Sequence, residues 1–213
     1  MKWRNSDRKN KGWKVKIVRP EEIYESPDKY YTSEEVEKYV RSGGMRRAQQ
    51  KIALRILQLL NLKEGSKLLD LGCGVGYTTE VYLNNGFDVL GLDILPQMLR
   101  HAKEKALKVV QGDICGLSEL FSKGKFDGVV SASALQWLKE ESDIKEVALG
   151  VNHVLKKEGK SVMQFYPKSE EDLKNALKIF KKNGFEGEIV TDNPDIPKKR
   201  VVYLVLRKRQ NEI

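Results

Sequence analysis

Three glycines at alternate positions follow a short apolar run that contains a single acid. The segment is Lys67-Leu-Leu-Asp-Leu-Gly-Cys-Gly-Val-Gly76, which predicts a buried strand, a tight turn and the start of a helix. Backbone N–H groups at such a turn can approach a nucleotide-like ligand. A dinucleotide fingerprint would need a glycine where Tyr77 stands. Asp70 would repel a pyrophosphate but suits the sulfonium and ammonium groups of S-adenosylmethionine, so we predict a site for that cofactor.

Two further predicted strands also end in an acid. Asp93 lies 23 residues after Asp70, and Asp113 lies 20 residues after Asp93. We expect Asp93 to accept hydrogen bonds from the ribose hydroxyls and Asp113 to accept one from the adenine amino group. Either acid alone could simply cap a helix, but the three in order favour a cofactor site. The expected cofactor contacts are Asp70, Gly72, Cys73, Gly74, Gly76, Asp93, Ile94, Asp113, Ile114 and Ser131.

The loop after the fourth predicted strand is where a methyl acceptor should meet the cofactor in an open parallel sheet. It lacks the proline-flanked Asn or Asp of exocyclic-amine methylases and the cysteine nucleophile needed for pyrimidine C5. It offers Ser133, Gln136 and Trp137, and the fifth strand adds Phe165 and Tyr166. We interpret Ser133, Gln136, Trp137 and Tyr166 as candidate catalytic residues that stack a flipped base and bond its edge. Core packing is the alternative for Trp137 and Phe165.

The net charge of +9 is concentrated near the two ends of the chain. Residues 1–18 hold seven basic residues against one acid, and the clusters 198–200 and 207–209 contribute six more positive charges. Basic ends on a near-neutral body are typical of a protein that binds a polyanion. Trp3 and Trp13 could stack on unpaired bases, and a solubilising tail is the alternative.

Composition favours a globular protein, because 40% of the residues are hydrophobic and 32% are charged. No apolar run approaches the roughly 20 residues that cross a bilayer, and no signal peptide is visible. Cys73 and Cys115 lack C-x-x-C spacing, so we expect neither a disulfide nor a metal site and predict a cytoplasmic location.

The order of the predicted elements is that of one α/β domain. We expect residues 1–18 to form a basic, flexible segment and residues 19–213 to form a single domain. Its helical part is 19–60, where one helix starts after Thr32 and ends at Gly43-Gly44 and another runs from Met45 to Leu60. The cofactor-binding sheet is 61–213.

Seven motifs between Arg19 and Leu206 together resemble one known family. They are Arg19-Pro-Glu, Leu59-Leu-Asn-Leu62, Leu69-Asp-Leu-Gly-Cys-Gly-x-Gly, Gly91-Leu-Asp-Ile-x-Pro-x-Met-Leu99, Ser131-x-Ser-Ala-Leu-Gln-Trp-Leu138, Gln164-Phe-Tyr-Pro-Lys168 and Tyr203-Leu-Val-Leu206. The family that they resemble is the small-subunit ribosomal RNA guanine-N7 methyltransferases of eukaryotes and their archaeal relatives. The glycine and acid motifs are common to all class I methyltransferases, whereas those around Trp137 and Tyr166 are far more specific.

The resemblance implies a Rossmann-like class I fold, with a seven-stranded, mostly parallel sheet and helices on both faces. It implies S-adenosylmethionine-dependent methylation of guanine N7 in small-subunit ribosomal RNA or a pre-ribosomal particle, as part of ribosome biogenesis. It also implies a small zinc-binding activator protein as partner. The third strand of such a sheet, here predicted at Leu107–Gln111, lies at one edge and is the expected docking place. A small-molecule O- or N-methyltransferase and an assembly factor that acts mainly by RNA binding are the alternatives.

Overall fold

A seven-stranded sheet organises residues 18–210, the part of the chain that the computed structural model describes. The spatial order of its strands is β3-β2-β1-β4-β5-β7-β6. Strands β1 to β5 pair in parallel, and β7 runs antiparallel to both of its neighbours. The strands are β1 (Lys67–Leu71), β2 (Asp88–Asp93), β3 (Val109–Gln111), β4 (Phe126–Ala132), β5 (Leu155–Phe165), β6 (Phe185–Asp192) and β7 (Val201–Lys208). The predicted class I sheet, with its third strand at one edge, is confirmed.

Within residues 18–210, four helices come before β1 in the chain, and from β1 to β6 one helix separates each strand from the next. Short 3-10 turns follow β3 and β4 and precede β7, at Ile114–Gly116, Leu135–Trp137 and Pro197–Lys199. The helices are α1 (Pro20–Ile23), α2 (Pro27–Tyr30), α3 (Ser33–Arg41), α4 (Gly43–Leu60), α5 (Tyr77–Asn84), α6 (Pro96–Glu104), α7 (Leu117–Leu120), α8 (Glu141–Val154) and α9 (Glu170–Lys182).

The junction of α3 and α4 differs from the prediction that Gly43-Gly44 ends a helix. The Ser42 hydroxyl accepts a hydrogen bond from the Met45 backbone N–H at 3.2 Å, so Ser42 caps the start of α4 while it also ends α3. The two glycines therefore form the first turn of α4. The predicted cap at Thr32 is present, since its hydroxyl accepts from Glu35 N at 3.3 Å.

Apolar side chains of β1 alternate between two cores, one on each face of the sheet. Leu68 belongs to the core shared with α4 and α5, whereas Leu69 and Leu71 belong to the core beneath α8 and α9. All three leucines are fully buried, and each contributes roughly 2 kcal/mol of transfer free energy. Phe165 lies in the second core at 6% exposure, so the packing alternative holds for this residue. Helices cover both faces, as predicted.

Helices α1 to α3 lie beyond the carboxyl ends of the strands rather than on a sheet face. Val36 of α3 packs against Val75 and Tyr77, which follow β1, and against Met98 of α6. No helix within residues 18–210 is long and apolar enough to span a membrane. Apart from Val18, the predictions for the basic segment 1–18, including those for Trp3 and Trp13, fall outside the described residues.

Candidate active site

A cavity of about 630 Å³ opens at the carboxyl ends of the parallel strands. It lies where the chain order reverses on either side of β1, which is the usual ligand position in open α/β sheets. Its wall includes the glycine turn after β1, the strand-end acids Asp93 and Asp113, and residues of α1 to α4. The cavity volume is typical of small-molecule and cofactor sites.

The glycine turn after β1 is tightly packed at Gly72 and Gly76 and open to the cavity at Gly74. All three glycines have positive φ, at +70° for Gly72, +56° for Gly74 and +85° for Gly76. A Cβ on Gly72 would lie 2.4 Å from Ala134 Cβ, and one on Gly76 would lie 2.2 Å from Leu107 Cδ1. A Cβ on Gly74 would meet nothing within 4 Å. Gly72 and Gly76 are therefore required by packing, whereas Gly74 leaves backbone open to a ligand on the cavity wall.

Asp93 links the end of β2 to the glycine turn. Its carboxylate accepts hydrogen bonds from Gly74 N at 2.7 Å and from Leu95 N at 2.9 Å. Burial raises the pKa of Asp93, against the opposing effect of these backbone N–H groups. A carboxylate has about four acceptor positions, so Asp93 keeps acceptor capacity toward the cavity that it lines. This leaves room for the predicted bonds to ribose.

Asp113 is exposed and also lines the cavity, together with Ile114 and Cys115. Its carboxylate accepts a hydrogen bond from Cys115 N at 2.9 Å and thereby caps the 3-10 turn that follows β3. The capping alternative is thus realised in part, and the remaining oxygen lone pairs are available to an adenine amino group.

Asp70 lies beneath the glycine turn and not on the cavity wall. Its side chain is fully buried, and Oδ2 accepts hydrogen bonds from the hydroxyls of Thr78 and Thr79 at 2.7 Å each. Oδ1 has no hydrogen-bond partner within the described residues. Burial raises the pKa of Asp70 to about 7. The wall is formed in front of it by Thr78, so any action of Asp70 on the cofactor is electrostatic and indirect, not the direct contact that we expected.

Seven of the ten predicted cofactor residues line the cavity: Gly72, Cys73, Gly74, Asp93, Ile94, Asp113 and Ile114. Asp70, Gly76 and Ser131 lie behind its wall. Ser131 is fully buried and donates to Leu71 O at 2.9 Å, so its hydroxyl joins β4 to β1 instead of facing a ligand. The orphaned Asp70 oxygen, the open Gly74 backbone and the strand-end acids fit a cationic, nucleoside-containing cofactor.

The four candidate catalytic residues Ser133, Gln136, Trp137 and Tyr166 all line the cavity. Ser133 has a positive φ of 60°, and its hydroxyl accepts from Gln49 Nε2 at 3.3 Å while it donates to Gln164 Oε1 at 3.0 Å. The Ser133 proton is therefore already committed. Gln136 Oε1 is buried without a hydrogen-bond partner within the described residues.

Each candidate stacking side chain already has a neighbour. Trp137 packs at 6.2 Å centroid separation on Tyr30 and at 5.9 Å on Tyr31. The Arg19 guanidinium lies 4.5 Å from the centroid of the Tyr166 ring, a cation–π contact. Trp137 therefore belongs to an aromatic cluster at the cavity rim and not to the sheet core.

The wall formed by α1 to α3 was not predicted to take part in the site. Glu21, Tyr30, Tyr31 and Tyr39 line the cavity from these helices. Lys139, which follows the 3-10 turn after β4, fastens the wall because its ammonium donates to the backbone oxygens of Glu21 and Tyr24. The signals in the sequence were the Arg19-Pro-Glu motif and the density of tyrosines that follows it.

Comparison with known proteins agrees with this geometry. Residues 69–163 match the family model of a methyltransferase domain. The Schizosaccharomyces pombe 18S rRNA (guanine-N(7))-methyltransferase bud23 is 34% identical over 205 residues, which cover 90% of this chain and 75% of the relative. The Saccharomyces cerevisiae 18S rRNA (guanine(1575)-N(7))-methyltransferase is 38% identical over 192 residues, covering 84% of this chain and 68% of that protein.

A solved structure supports the fold. Phosphoethanolamine N-methyltransferase 2 of Haemonchus contortus, in complex with S-adenosyl-L-methionine, superposes with a TM-score of 0.69 at 18% identity. The match covers 92% of this chain and 61% of that structure. With the two relatives above, these findings confirm the predicted family: the chain belongs to the 18S rRNA (guanine-N7)-methyltransferases, which are S-adenosylmethionine-dependent enzymes.

Proposed function

We propose that this protein transfers a methyl group to N7 of a guanine in small-subunit ribosomal RNA and so acts in ribosome biogenesis. The strongest support is the commitment of Ser133 to Gln49 and Gln164 at the carboxyl end of β4. The carboxyl ends of β4 and β5 thus offer amide and aromatic groups that orient a base, while the Ser133 hydroxyl proton is engaged by Gln164. Such a surface suits an acceptor atom that has no proton to lose.

Guanine N7 is such an atom, because it carries an in-plane lone pair and no hydrogen. Its methylation requires alignment more than general-base catalysis, and correct orientation of two reactants contributes on the order of 7–11 kcal/mol in the most favourable cases. Gln136, with its buried amide oxygen, and the aromatic rim around Trp137 are the groups that would hold the base plane in place.

The cofactor S-adenosylmethionine supplies a methyl group on a positively charged sulfonium. Among the residues of this chain, the Gly74 backbone would receive it, Asp93 would bond the ribose hydroxyls, and Asp113 would bond the adenine amino group. The buried charge of Asp70 would attract the cationic end across Thr78. The free thiols of Cys73 and Cys115 favour a reducing compartment such as the cytoplasm.

The β3 edge is the docking place that we propose for a small zinc-binding activator protein. Val109 and Val110 are only half-buried and Gln111 is exposed. Two exposed apolar residues lie close by, since Ile94 O accepts from Gln111 Nε2 and Leu120 lies beside Gly112. A short edge with apolar surroundings invites the addition of a partner strand.

Labelled-methyl transfer to isolated small-subunit ribosomal RNA tests the function, with and without the activator. Digestion to nucleosides should identify 7-methylguanosine as the labelled product. Label in another nucleoside, or transfer only to small molecules, would contradict the proposal.

A further inference from the structure

Within residues 18–210, two buried side-chain oxygens in the cavity wall have no hydrogen-bond donor. Glu21 is 5% exposed, and its Oε1 has no hydrogen-bond partner among residues 18–210. Gln136 Oε1 is in the same condition. Both residues line the cavity. Burial of an unsatisfied carboxylate oxygen is strongly unfavourable unless a donor arrives with a ligand.

No basic residue among residues 18–210 forms an ion pair with the Glu21 carboxylate, although Arg19 and Lys139 lie near enough to attract it. The Lys139 ammonium donates to the backbone oxygens of Glu21 and Tyr24 and not to the Glu21 carboxylate. Arg19 instead stacks on Tyr166. The Glu21 carboxylate, on the wall of the cavity, therefore keeps an unused acceptor oxygen.

The position of Glu21 indicates which occupant it meets. Its backbone is tied to Lys139, next to Trp137, and its neighbour Arg19 lies on Tyr166. These contacts place α1 beside the residues that follow β4 and β5. The strand-end acids Asp93 and Asp113 follow β2 and β3, on the other side of β1. Glu21 therefore belongs to the half of the cavity that receives the methyl acceptor and not to the cofactor half.

We propose that Glu21 selects guanine by accepting hydrogen bonds from N1–H and the N2 amino group, with Gln136 Oε1 as a second acceptor. This inference rests on the proposed function, which makes guanine the methyl acceptor. Guanine is the RNA base that presents two adjacent donors to a carboxylate along its Watson–Crick edge. Adenine N1 is a lone pair and would face the carboxylate unfavourably, so a mismatched base leaves buried groups unpaired. N7 lies on the opposite side of the purine and stays free to react.

The experiment compares methyl transfer by the wild-type protein, Glu21→Gln and Glu22→Gln. Glu22 is the adjacent, exposed acid, so its variant has the same change in charge without touching the cavity. The substrate is small-subunit ribosomal RNA assembled by ligation, with either guanosine or inosine at the methylated position. Inosine lacks the N2 amino group and keeps N1–H and N7. Binding of S-adenosylmethionine is measured for each protein by calorimetry.

For the wild-type protein, inosine should lower kcat/KM by roughly 10-fold, because one charge-assisted hydrogen bond is lost. Glu21→Gln should lower kcat/KM for guanosine by about 10- to 100-fold and bring the guanosine-to-inosine ratio close to one, because the amide cannot accept both bonds. Affinity for S-adenosylmethionine should stay within about 2-fold, and Glu22→Gln should behave as wild type.

Two results would overturn the assignment. One is a wild-type protein that methylates guanosine and inosine RNA equally well, a result that needs no variant. The other is a folded Glu21→Gln protein that keeps the wild-type guanosine-to-inosine ratio, because Glu21 would then act only on structure. If the wild-type protein fails to produce 7-methylguanosine at all, the proposed function fails instead, and the two failures are thereby distinguished.

Discussion

Replacement of Asp70 by Asn should remove a large part of the pH dependence of stability near neutrality. Asp70 is fully buried beneath the glycine turn. Burial raises its pKa from the ordinary value of 3.8 to about 7, although the hydroxyls of Thr78 and Thr79 donate to it. The folded protein without ligand therefore holds the Asp70 proton more tightly than the unfolded chain does.

The sign and size of the effect follow from that shift. Because the folded-state pKa is the higher one, the contribution of Asp70 to the free energy of unfolding is complete below about pH 4 and is lost as the pH rises through about 7. A shift of about 3 pH units corresponds to roughly 4 kcal/mol over the whole range. On the order of 2–3 kcal/mol of that should be lost between about pH 5 and pH 8.

Urea denaturation at a series of pH values measures this directly. The wild-type free energy of unfolding should fall by that amount over the interval relative to Asp70→Asn, since the two proteins differ only at Asp70. Asp127→Asn is the matched control, because its bond to Lys156 lowers the pKa of Asp127 and it titrates below the interval. Parallel curves for wild type and Asp70→Asn would refute the assignment of a buried proton to Asp70.

The same substitution tests the link to the cofactor. A cationic ligand favours ionised Asp70, so wild-type affinity for S-adenosylmethionine should increase as the pH rises through about 7. Asp70→Asn should bind more weakly, with a flatter pH profile. An identical profile for both proteins would show that the Asp70 charge does not act on the cofactor.

Three further pairs of substitutions test the site and the β3 edge. Asp93→Ala should weaken S-adenosylmethionine binding by about 1–3 kcal/mol in calorimetry, whereas Asp88→Ala, at the exposed start of β2, should leave it unchanged. Gly76→Ala should lower the free energy of unfolding by roughly 2–4 kcal/mol, because of backbone strain and the clash with Leu107. Gly74→Ala, whose Cβ would meet no described residue within 4 Å, should lower it by roughly 1 kcal/mol and should also weaken cofactor binding. Val109→Lys should prevent the co-expressed activator from restoring solubility and activity, because the lysine places a charge on the β3 edge. Leu83→Lys, at an exposed position of α5, is the control. Equal rescue of the two variants would contradict docking at β3.

Val109 is preferred to Val110 for the edge test because the two valines point to opposite sides of β3. Val110 packs against the core beneath α8 and α9, so a lysine there would destabilise the fold as well as the edge. Val109 lies outside that core, beside Gly91 of β2. Lys108, the residue before β3, pairs with Asp88 at 3.0 Å, so its charge is partly balanced beside this edge.

The sequence predicted the sheet, and seven of its ten expected cofactor residues line the cavity, because both depend on local patterns. An apolar run, alternate glycines and a following helix define β1, the turn and α5 within about twenty residues, and strand-end acids mark β2 and β3 in the same way. Asp70 could not be placed correctly by such patterns. Its burial depends on Thr78 and Thr79, which reach back to it from the first turn of α5.

The α1–α3 wall was missed for a different physical reason. Helices α1 and α2 are four residues long, too short to show a hydrophobic period, and their prolines at the first helical position mark only where each one begins. What fixes them over the cavity is long-range contact, chiefly Lys139 and the stacking of Tyr30 on Trp137. These tertiary contacts, and not a local sequence pattern, bring Glu21 to the cavity wall.

The motif that begins at Ser131 and the motif that begins at Gln164 are in contact through Ser133. The Ser133 backbone N–H donates to Gln164 O at 2.9 Å, and its hydroxyl donates to Gln164 Oε1 at 3.0 Å. A positive φ of 60° at a non-glycine residue is unfavourable, and these paired bonds from β5 hold it in place. Gln49 of α4 adds a third bond. The segment after β4 is thus fixed from the sheet on one side and from α4 on the other, and the bond between Ser133 and Gln164 joins two segments that are 31 residues apart in the sequence.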